Sequence, residues 1–457
     1  MCSHNHFKES CHNKILCPQC DLLVALPVLE QGTRASCPRC HTVLSAKWKY
    51  PANQPTAIAI SALVMLLIAC LFPYVKMSVM GIESQISLFN IAHAMFDVNY
   101  ASLGWFFLLF VVAVPAFCMV AIILLCQRVN LPLWLKINLA RTLFQMKAWC
   151  MVEIFLAGVL VSFVKLMAYG EITLGISFVP YCFFCLLQVR AFQCLDRHWL
   201  WQQIGEVPKL EIPLQEGKSG ISQNVRSCHI CMAILPAERK YCPRCHTKGY
   251  VRRPNSLQNT MALLLSSLVL YIPANVLPVM ITNTLGSRLD STIMSGVILL
   301  WGDGSYPVAI IIFIASIMVP SLKIVAVGWL CFDAKGYGNR DPARMHFVYE
   351  LVECVGRWSM IDVFVIAVLS SLVQMGRLMS VSPALGVILF AAVVILTMFA
   401  AMTFDPRLTW DRCNVATLGS RLDSTIMSGC RLSACCVPAV ARWLIKITLT
   451  RKQRSVN

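Results

Sequence analysis

The feature that most constrains this chain is a series of long apolar stretches, each near the length that a helix needs to cross a bilayer. Crossing about 30 Å of hydrocarbon takes about 20 largely apolar residues. The sequence holds eight such stretches: 56–79, 101–126, 148–168, 172–190, 257–282, 305–332, 358–376 and 381–404. They predict an all-α polytopic membrane protein. The hydrophobic content of 58% agrees, because soluble domains hold only about 45–50% apolar residues.

The formal net charge of +17 could suggest a nucleic-acid partner. Nucleic-acid-binding proteins cluster Lys and Arg on one face or stripe, whereas here the basic residues lie between apolar stretches, so we expect no nucleic acid. With the N-terminus inside, the five inner segments carry 6, 4, 10, 4 and 9 Lys/Arg, and the outer loops carry only Arg288 and Arg377. Cytoplasmic loops hold the excess of basic residues. Both termini are therefore predicted to be cytoplasmic.

Two groups of four cysteines lie in the predicted cytoplasmic segments. Each group is a pair of CxxC motifs, with 16 residues between the motifs in the first group and 10 in the second. The eight residues are Cys17, Cys20, Cys37, Cys40, Cys228, Cys231, Cys242 and Cys245. Thiols stay reduced in the cytosol, and two CxxC turns supply the tetrahedral tetrathiolate that suits Zn²⁺. We expect one structural zinc ribbon per group, with an iron site or a redox-active dithiol as the alternatives.

The two groups are part of a larger repeat. A shift of 205 residues aligns CPRCHT at 37–42 with its copy at 242–247 and continues through two apolar stretches. The aligned pairs are Cys37 and Cys242, Pro73 and Pro278, Gly81 and Gly286, and Pro115 and Pro320. After a further shift of four, residues 149–155 align with residues 358–364. The repeated unit is a ribbon followed by four helices, used twice in the same orientation, and parallel repeats of this kind form sites near the interface between halves.

This repeat predicts the domain boundaries. They are 1–50 for the first ribbon, 51–200 for the first four-helix module, 201–252 for the linker and second ribbon, 253–412 for the second four-helix module, and 413–457 for a tail. The tail contains the 13 residues TLGSRLDSTIMSG at 417–429, an identical copy of 284–296, in flanks that match nothing around the first copy. An ancient duplication diverges, so this identical copy indicates a recent rearrangement, and we assign the tail no function.

Ionisable residues at membrane depth mark functional sites by default. Lys323 lies about nine residues from the inner end of its span, or roughly 13 Å deep, and Asp362 lies about 7 Å deep in the next span. Thr397 lies about eight residues from the inner end of the last span, within reach of the lysine. These three residues predict a polar network, and a purely structural ion pair between Lys323 and Asp362 is the alternative. In the first unit Glu153 occupies the position of Asp362, but Cys118 occupies that of Lys323, so the two halves are expected to differ in their task.

Several long motifs resemble one known family, the paraquat-inducible protein A family with its related LetA proteins. They are ILCPQCDLLVALP from Ile15, the segment from Val152 to Gly170, RAFQCLDRHWLW from Arg190, KGYVRR from Lys248, GRWSMIDVFVIAVLS from Gly356, and MTFDPRLTWDR from Met402. The resemblance covers residues 1 to about 412, and the tail departs from it.

The resemblance implies a multi-pass protein of the Gram-negative inner membrane with tetraspanin-like four-helix modules and zinc-binding cytosolic ribbons. Members of this family act with periplasmic MCE-domain proteins, here of a PqiB-like kind, and with a PqiC-like outer-membrane lipoprotein, in moving lipids between the two membranes. The Lys323, Asp362 and Thr397 positions are then expected to respond to protons during lipid transfer. Glu153 is the first-half counterpart in that network.

Two other functions stay open at this stage, a membrane redox protein that uses the thiols and a stand-alone exporter of drugs or small solutes. The sequence holds no GxxxxGK[ST] motif, so we expect no ATP hydrolysis by this chain. We also expect the protein not to be an enzyme. Zinc without redox-active iron would oppose the first alternative. Transport that needs a periplasmic partner would oppose the second.

Overall fold

The computed structural model describes most of the chain between the two termini. The described residues are 14–79, 82–97, 101–127, 129–166, 171–208, 210, 213–284, 287–302, 304, 306–337, 342–356, 358–372 and 379–411. The predicted tail, 413–457, lies outside this range, as do residues 1–13 of the predicted first ribbon.

Helices make up most of the first half. They are Asn53–Leu71, Leu88–Asp97, Ala101–Phe107, the π-helical Leu108–Ala113, Val114–Cys126, Leu133–Met146, the 3-10 turn Lys147–Trp149, Val152–Leu166, Phe178–Cys194 and Arg197–Ile204. The longer helices are apolar around most of their circumference, which is typical of segments immersed in lipid.

The second half repeats much of this order. Its helices are Ser256–Val276, Ile293–Gly302, Tyr306–Phe313, the π-helical Ile314–Met318, Val319–Phe332, the π-helical Asp333–Tyr337, Pro342–Gly356, the 3-10 turn Trp358–Met360, Ile361–Leu372, Leu385–Thr403 and the 3-10 turn Pro406–Thr409. The 3-10 turn Ile221–Gln223 lies in the linker between the halves.

Six helical segments of the described chain are long and apolar enough to cross a membrane. They are Asn53–Leu71, Gly104–Cys126, Leu133–Phe163, Ser256–Val276, Ala309–Lys335 and Leu385–Thr403. A seventh is added if Phe178–Cys194 and Arg197–Ile204, bent by 65°, form one span. The predicted stretch 358–376 contains a 12-residue helix and continues outside the described residues, so eight spans remain a prediction. The chain is a mostly helical, multi-pass membrane protein.

Two three-stranded antiparallel sheets correct the prediction of all-α modules. The first contains Ile82–Ile86, Val75–Val79 and Glu171–Leu174, and the second contains Ser287–Ser291, Met280–Thr284 and Met379–Pro383, with the middle strand named second in each set. The predicted spans 56–79 and 257–282 were therefore too long at their outer ends. The physical reason is the pair Pro73 and Pro278, because the residue before a proline disfavours helix and the chain leaves the helix there.

Glycines that follow the last strand of each sheet let the chain pass close to the residues just before the middle strand. A Cβ atom on Gly175 would lie 2.1 Å from the Pro73 carbonyl oxygen, and one on Gly386 would lie 2.5 Å from that of Pro278. Only a residue without a side chain permits this approach. Equivalent glycines thus close both sheets.

Small residues hold the outer helix pairs together. Asn53–Leu71 packs against Phe178–Cys194 and buries Ala59, Ala62 and Ala69. In the second half Ser256–Val276 packs against Leu385–Thr403, where Ser256 Oγ donates to the Thr403 carbonyl at 2.8 Å. Lipid tails are themselves apolar, so the hydrophobic effect contributes little to the association of helices in a membrane. Close backbone packing and interhelical hydrogen bonds stabilise the association instead.

The two halves meet through helices that the sequence repeat makes equivalent. Val152–Leu166 packs against Ile361–Leu372. Phe155 and Phe364, paired by the shift of 209 residues, have ring centroids 5.9 Å apart in an edge-to-face arrangement, which is a favourable geometry for aromatic rings. The largest buried apolar cluster contains residues of both halves. The halves therefore share one core.

Candidate metal centres and buried lysine site

The first cysteine group forms two facing turns. Strands Lys14–Leu16 and Leu23–Ala25 carry Cys17 and Cys20 between them, and strands Arg34–Ser36 and Val43–Ala46 carry Cys37 and Cys40. The sulfur atoms of Cys17 and Cys40 are 3.4 Å apart, and those of Cys20 and Cys37 are 3.5 Å apart. All four thiols are buried and lie within 4.8 Å of one another.

The second group has the same arrangement. Cys228 and Cys231 lie between strands Val225–Ser227 and Ile234–Pro236, and the Cys228–Cys245 and Cys231–Cys242 sulfur pairs are each 3.4 Å apart. A tetrahedral metal with sulfur at about 2.3 Å would place its ligands about 3.8 Å apart. Both groups therefore have the dimensions of a tetrathiolate site.

All four CxxC turns share one backbone conformation. The residue after the second cysteine has a left-handed φ, between 54° and 60°, at Asp21, His41, Met232 and His246. Its amide donates to the carbonyl of the first cysteine at 2.8 to 3.0 Å. In the same turns, the amide of the first cysteine donates to the carbonyl oxygen of the residue five positions later, at 2.8 to 3.1 Å. The turn holds both thiols on one side, as metal coordination requires.

The thiols of each group need a cation to be charged together. Hydrogen bonding to neighbouring thiols, reinforced by burial, raises the pKa of Cys20 and of Cys231 above that of a free thiol. A bound metal ion removes this obstacle because it stabilises deprotonated thiolates. By donor type, burial and spacing, each group can hold one metal ion.

The first ribbon rests on the second half of the chain, which the sequence did not predict. The Arg39 guanidinium lies 4.4 Å from the centre of the Trp410 ring, and Trp410 belongs to the buried cluster that contains the first cysteine group. Arg252 bridges Asp21 at 2.9 Å and Asp411 at 2.6 Å. These contacts join residues more than 150 positions apart, and no local pattern signals them.

His346 is another residue that sequence reasoning missed. It is buried, its ring centroid lies 6.1 Å from that of Trp410, and its Nε2 lies 3.4 Å from Glu350 Oε1. Burial opposes protonation, but the nearby Cys40 thiol and Glu350 outweigh it and raise the pKa of His346. The histidine therefore lies where it can influence the first cysteine group from outside the ligand set.

The second ribbon contacts the first half in return. Arg197 donates from Nε to the Ile230 carbonyl at 2.7 Å and also binds the His229 carbonyl. Arg244 of the second ribbon donates to the Gly205 carbonyl at 3.1 Å. Each ribbon is thus tied by arginines to a half other than the one that follows it.

Lys323 is buried within the second half, with 4% of its surface exposed. Its Nζ donates to the carbonyl oxygen of Gly356 at 3.3 Å, and Ser359 Oγ donates to the same oxygen at 2.9 Å. A Cβ atom on Gly356 would lie 2.9 Å from Lys323 Cε, so the missing side chain makes room for the ammonium. A small cavity beside it is lined by Lys323, Tyr349 and Glu353.

The other predicted network residues have different surroundings. Thr397 is buried and its hydroxyl donates to the Val394 carbonyl of its own helix at 2.9 Å. Asp362 lies in Ile361–Leu372, a helix that packs against that of Thr397, but the side chain of Asp362 lies outside the described part of the chain. Glu153 lies in the first half, beside a cavity under the first ribbon. Glu153 and Lys323 therefore line different cavities.

Each half contains a π-helical segment just before a proline. Leu108–Ala113 precedes Pro115, and Ile314–Met318 precedes Pro320, one turn before Lys323. A proline ring clashes with the carbonyl four residues earlier, and a wider π-turn relieves that clash. Such segments recur at functional sites. The prolines singled out in the sequence therefore mark altered backbone in both halves.

Comparison with known proteins identifies relatives of the whole described chain. The family model "Paraquat-inducible protein A" matches residues 52–205 and 257–414. The chain is 62% identical over 412 residues to "Intermembrane transport protein PqiA" of Escherichia coli K12, covering 90% of this chain and 98% of the relative. No solved structure matches it.

More distant relatives have similar coverage. The chain is 30% identical over 396 residues to "Lipophilic envelope-spanning tunnel protein A" of Escherichia coli K12, covering 86% of this chain and 90% of the relative. It is 29% identical over 413 residues to "Probable intermembrane transport protein" of Haemophilus influenzae, covering 87% and 96%. These names describe transport or a tunnel and not an enzyme.

Proposed function

Because the chain belongs to the paraquat-inducible protein A family, we propose that it is the inner-membrane subunit of a Gram-negative intermembrane lipid transport system. It passes lipids between the inner membrane and a periplasmic MCE-domain tunnel of the PqiB-like kind, which a PqiC-like outer-membrane lipoprotein accompanies. The observation that carries this proposal is the 62% identity, over 98% of its length, to a relative named as an intermembrane transport protein. Both termini of the chain lie in the cytoplasm.

The membrane part consists of two tandem four-helix modules. Support comes from the two equivalent sheets, the two π-helical segments before Pro115 and Pro320, and the family model's match to each half. The contact between Phe155 and Phe364 joins equivalent positions. Parallel repeats related by an axis along the membrane normal bring equivalent helices together in this way.

The two cysteine groups bind one structural Zn²⁺ each. Four buried thiols at tetrahedral spacing, in turns that leave no coordination position open, suit zinc in a structural role. The ligands are Cys17, Cys20, Cys37 and Cys40 in the first ribbon and Cys228, Cys231, Cys242 and Cys245 in the second. Bound zinc would supply a redox-inert cross-link between the two turns of each ribbon.

Lys323, Asp362 and Thr397 form the polar transport site of the second half. An ammonium inside the membrane is expensive, and such residues face the bundle interior and mark pathways or proton relays. Lys323 meets that description because it is buried and touches a helix-end carbonyl. Glu153 is the counterpart of Asp362 in the first half, where the lysine is replaced by Cys118. The second half therefore carries the proton-responsive step.

A reconstitution experiment tests the transport role. The purified chain is placed in liposomes with a fluorescent phospholipid, and the soluble part of its MCE partner is added outside as the acceptor. Labelled lipid should appear in the acceptor only when the chain is present, and the two proteins should co-purify. Transport of small solutes by the chain alone, with no lipid reaching the acceptor, would instead support an exporter.

A further inference from the structure

A cavity of about 420 Å³ lies between the first ribbon and the first half of the membrane part. Its walls come from the last ribbon strand, Val43–Ala46, with Trp48 beyond it, and from the helix ends around Lys147 and Gln188. Both helix ends lie where the sequence places the cytoplasmic boundaries of spans 148–168 and 172–190. The cavity is therefore at the depth of lipid headgroups.

Arg34 and Lys147 are among the residues that line this cavity, and Arg190, outside the lining, lies beside the Trp48 ring. The guanidinium groups of Arg34 and Arg190 lie 5.3 and 5.2 Å from the centre of the Trp48 ring. Lys147 Nζ lies 5.3 Å from the centre of the Phe192 ring. Basic pockets between helices on the cytoplasmic side bind anionic headgroups.

The carboxylate of Asp196, which also lines the cavity, is held by hydrogen bonds from the ribbon and from a helix end. It accepts hydrogen bonds from Ser45 Oγ at 2.8 Å, from the Ala46 amide at 3.2 Å and from the His198 amide at 2.9 Å. It therefore serves to fasten the ribbon to the helix that begins at Arg197. Glu153 also lines the cavity and adds a second negative charge on the membrane side.

Two buried polar atoms in the cavity lining have no hydrogen-bond partner among the described residues. They are the side-chain oxygen of Gln188, a residue that is 4% exposed, and the indole nitrogen of Trp48. Buried polar groups are normally satisfied, and each exception calls for a water or a ligand. The indole N–H requires an acceptor and the Gln188 oxygen requires a donor. A group that presents both would satisfy the site.

A lipid-facing stripe leads to the cavity along one helix. Val179, Phe183 and Leu186 are exposed on Phe178–Cys194, and their spacing places them on one helix face with Arg190 at its inner end. An acyl chain can lie along these side chains while the attached headgroup reaches the basic cluster. A soluble phosphate compound would make no use of this stripe.

We propose that this cavity binds the headgroup of a phospholipid of the cytoplasmic leaflet, one that joins a phosphate to a hydrogen-bond donor. Phosphoglycerol and phosphoethanolamine headgroups have this chemistry. The phosphate meets Arg34 and the Trp48 indole, Arg190 adds positive charge beside the Trp48 ring, and the hydroxyl or ammonium meets Gln188. The lipid then bridges the first ribbon and the first half. This inference rests on the proposed function only for the cytoplasmic orientation of the ribbons.

Native mass spectrometry of the purified full chain tests the inference without any tunnel partner, so it can fail while lipid transfer to the partner succeeds. The chain is delipidated in detergent and offered phosphatidylglycerol, phosphatidylethanolamine or phosphatidylcholine in separate titrations. We expect one tightly retained molecule of phosphatidylglycerol or phosphatidylethanolamine, and at least tenfold weaker retention of phosphatidylcholine, whose quaternary ammonium donates no hydrogen bond.

Matched variants assign any binding to the cavity. The double variant Arg34→Ala/Arg190→Ala should lose the retained lipid, Arg34→Lys/Arg190→Lys should keep part of it, and Lys49→Ala, an exposed lysine outside the cavity, should keep all of it. Unchanged gel-filtration behaviour shows that the variants fold. Equal retention by the wild type and the double alanine variant would overturn the proposal. So would full displacement by millimolar inorganic phosphate, because the site would then recognise a soluble anion.

Discussion

At the scale of single residues, Asp405 is a buried carboxylate surrounded by specific partners. Asp405, just beyond the last span, is 2% exposed and accepts from Arg407 Nε at 2.9 Å and Nη2 at 3.0 Å. The backbone amide of Arg253 also donates a hydrogen bond to Asp405 Oδ2 at 3.2 Å. Burial alone would raise the pKa of Asp405, but Arg407 outweighs it and lowers that pKa.

Substituting Asp405→Asn should destabilise the inner end of the second half by about 3 kcal/mol near neutral pH, because it leaves the buried Arg407 unpaired. A carboxylate whose pKa is lowered by folding contributes stability above its ordinary pKa, and this contribution is lost as the pH falls through the lowered value. The difference between wild type and variant should therefore shrink in acid. Denaturation in detergent at several pH values measures it.

The exposed pair Arg288 and Asp290 provides the control for this prediction. Surface ion pairs contribute about 0 to 1 kcal/mol, so Asp290→Asn should change stability little at any pH. A difference for Asp405→Asn that stays constant down to pH 3 would show that the carboxylate charge is not the source of the effect.

At the scale of structural elements, we expect the ribbons to depend on a bound metal more than on apolar burial. Each has strands of only three or four residues around its thiols. Such small units need a metal or disulfides to stay folded. The ribbons should therefore unfold locally when their ligands are removed.

The double variant Cys37→Ser/Cys40→Ser should reduce zinc from about two ions per chain to about one, because one complete tetrathiolate remains. The same change should expose the segment around Arg39 to protease, since its contact with Trp410 needs a folded ribbon. Elemental analysis and limited proteolysis measure both effects. Cys182→Ser, inside a membrane helix, is the control and should keep two ions. Two zinc ions in the double variant would contradict the ligand assignment.

The cysteine groups and the long helices could be read from the sequence because their signals are local. Each set of four cysteines lies within 24 residues of sequence, and the length of each apolar stretch alone indicates a helix. The small sheets could not be predicted from the sequence, because short strands at the ends of apolar stretches resemble a continuation of the membrane helix. The carbonyl of Gly356 that binds Lys323, and the Trp410 surface under the first ribbon, depend on contacts between distant residues. Long-range packing decides both, and a single sequence does not encode it in any short pattern.

At the scale of the whole molecule, non-covalent contacts join the two halves both in the membrane part and at the ribbons. In the membrane Phe155 packs on Phe364. On the ribbon side, Arg252 ties the first ribbon to the end of the second half through Asp21 and Asp411, while Arg197 ties the first half to the second ribbon. Contacts in both places thus join residues that the sequence places in different halves.

These contacts predict that the chain can be split between residues 208 and 213 without losing its assembly. Two fragments expressed together, with a tag on one, should purify as a one-to-one complex. The matched variant Arg252→Ala/Arg197→Ala in the split chain should weaken recovery of the untagged fragment. Independent, monodisperse fragments in the unmodified split chain would contradict a shared core.

Lys323 is the proposed position of the transport step in the second half. Transfer of labelled phospholipid from liposomes to the MCE partner, compared between Lys323→Met and Lys335→Met, tests it most directly. Lys335 lies three turns further along the same helical segment and is exposed, so its variant controls for the loss of one positive charge. We expect Lys323→Met to abolish transfer in a folded, zinc-loaded chain, whereas Lys335→Met should transfer lipid at the wild-type rate. Equal transfer by the two variants would contradict it.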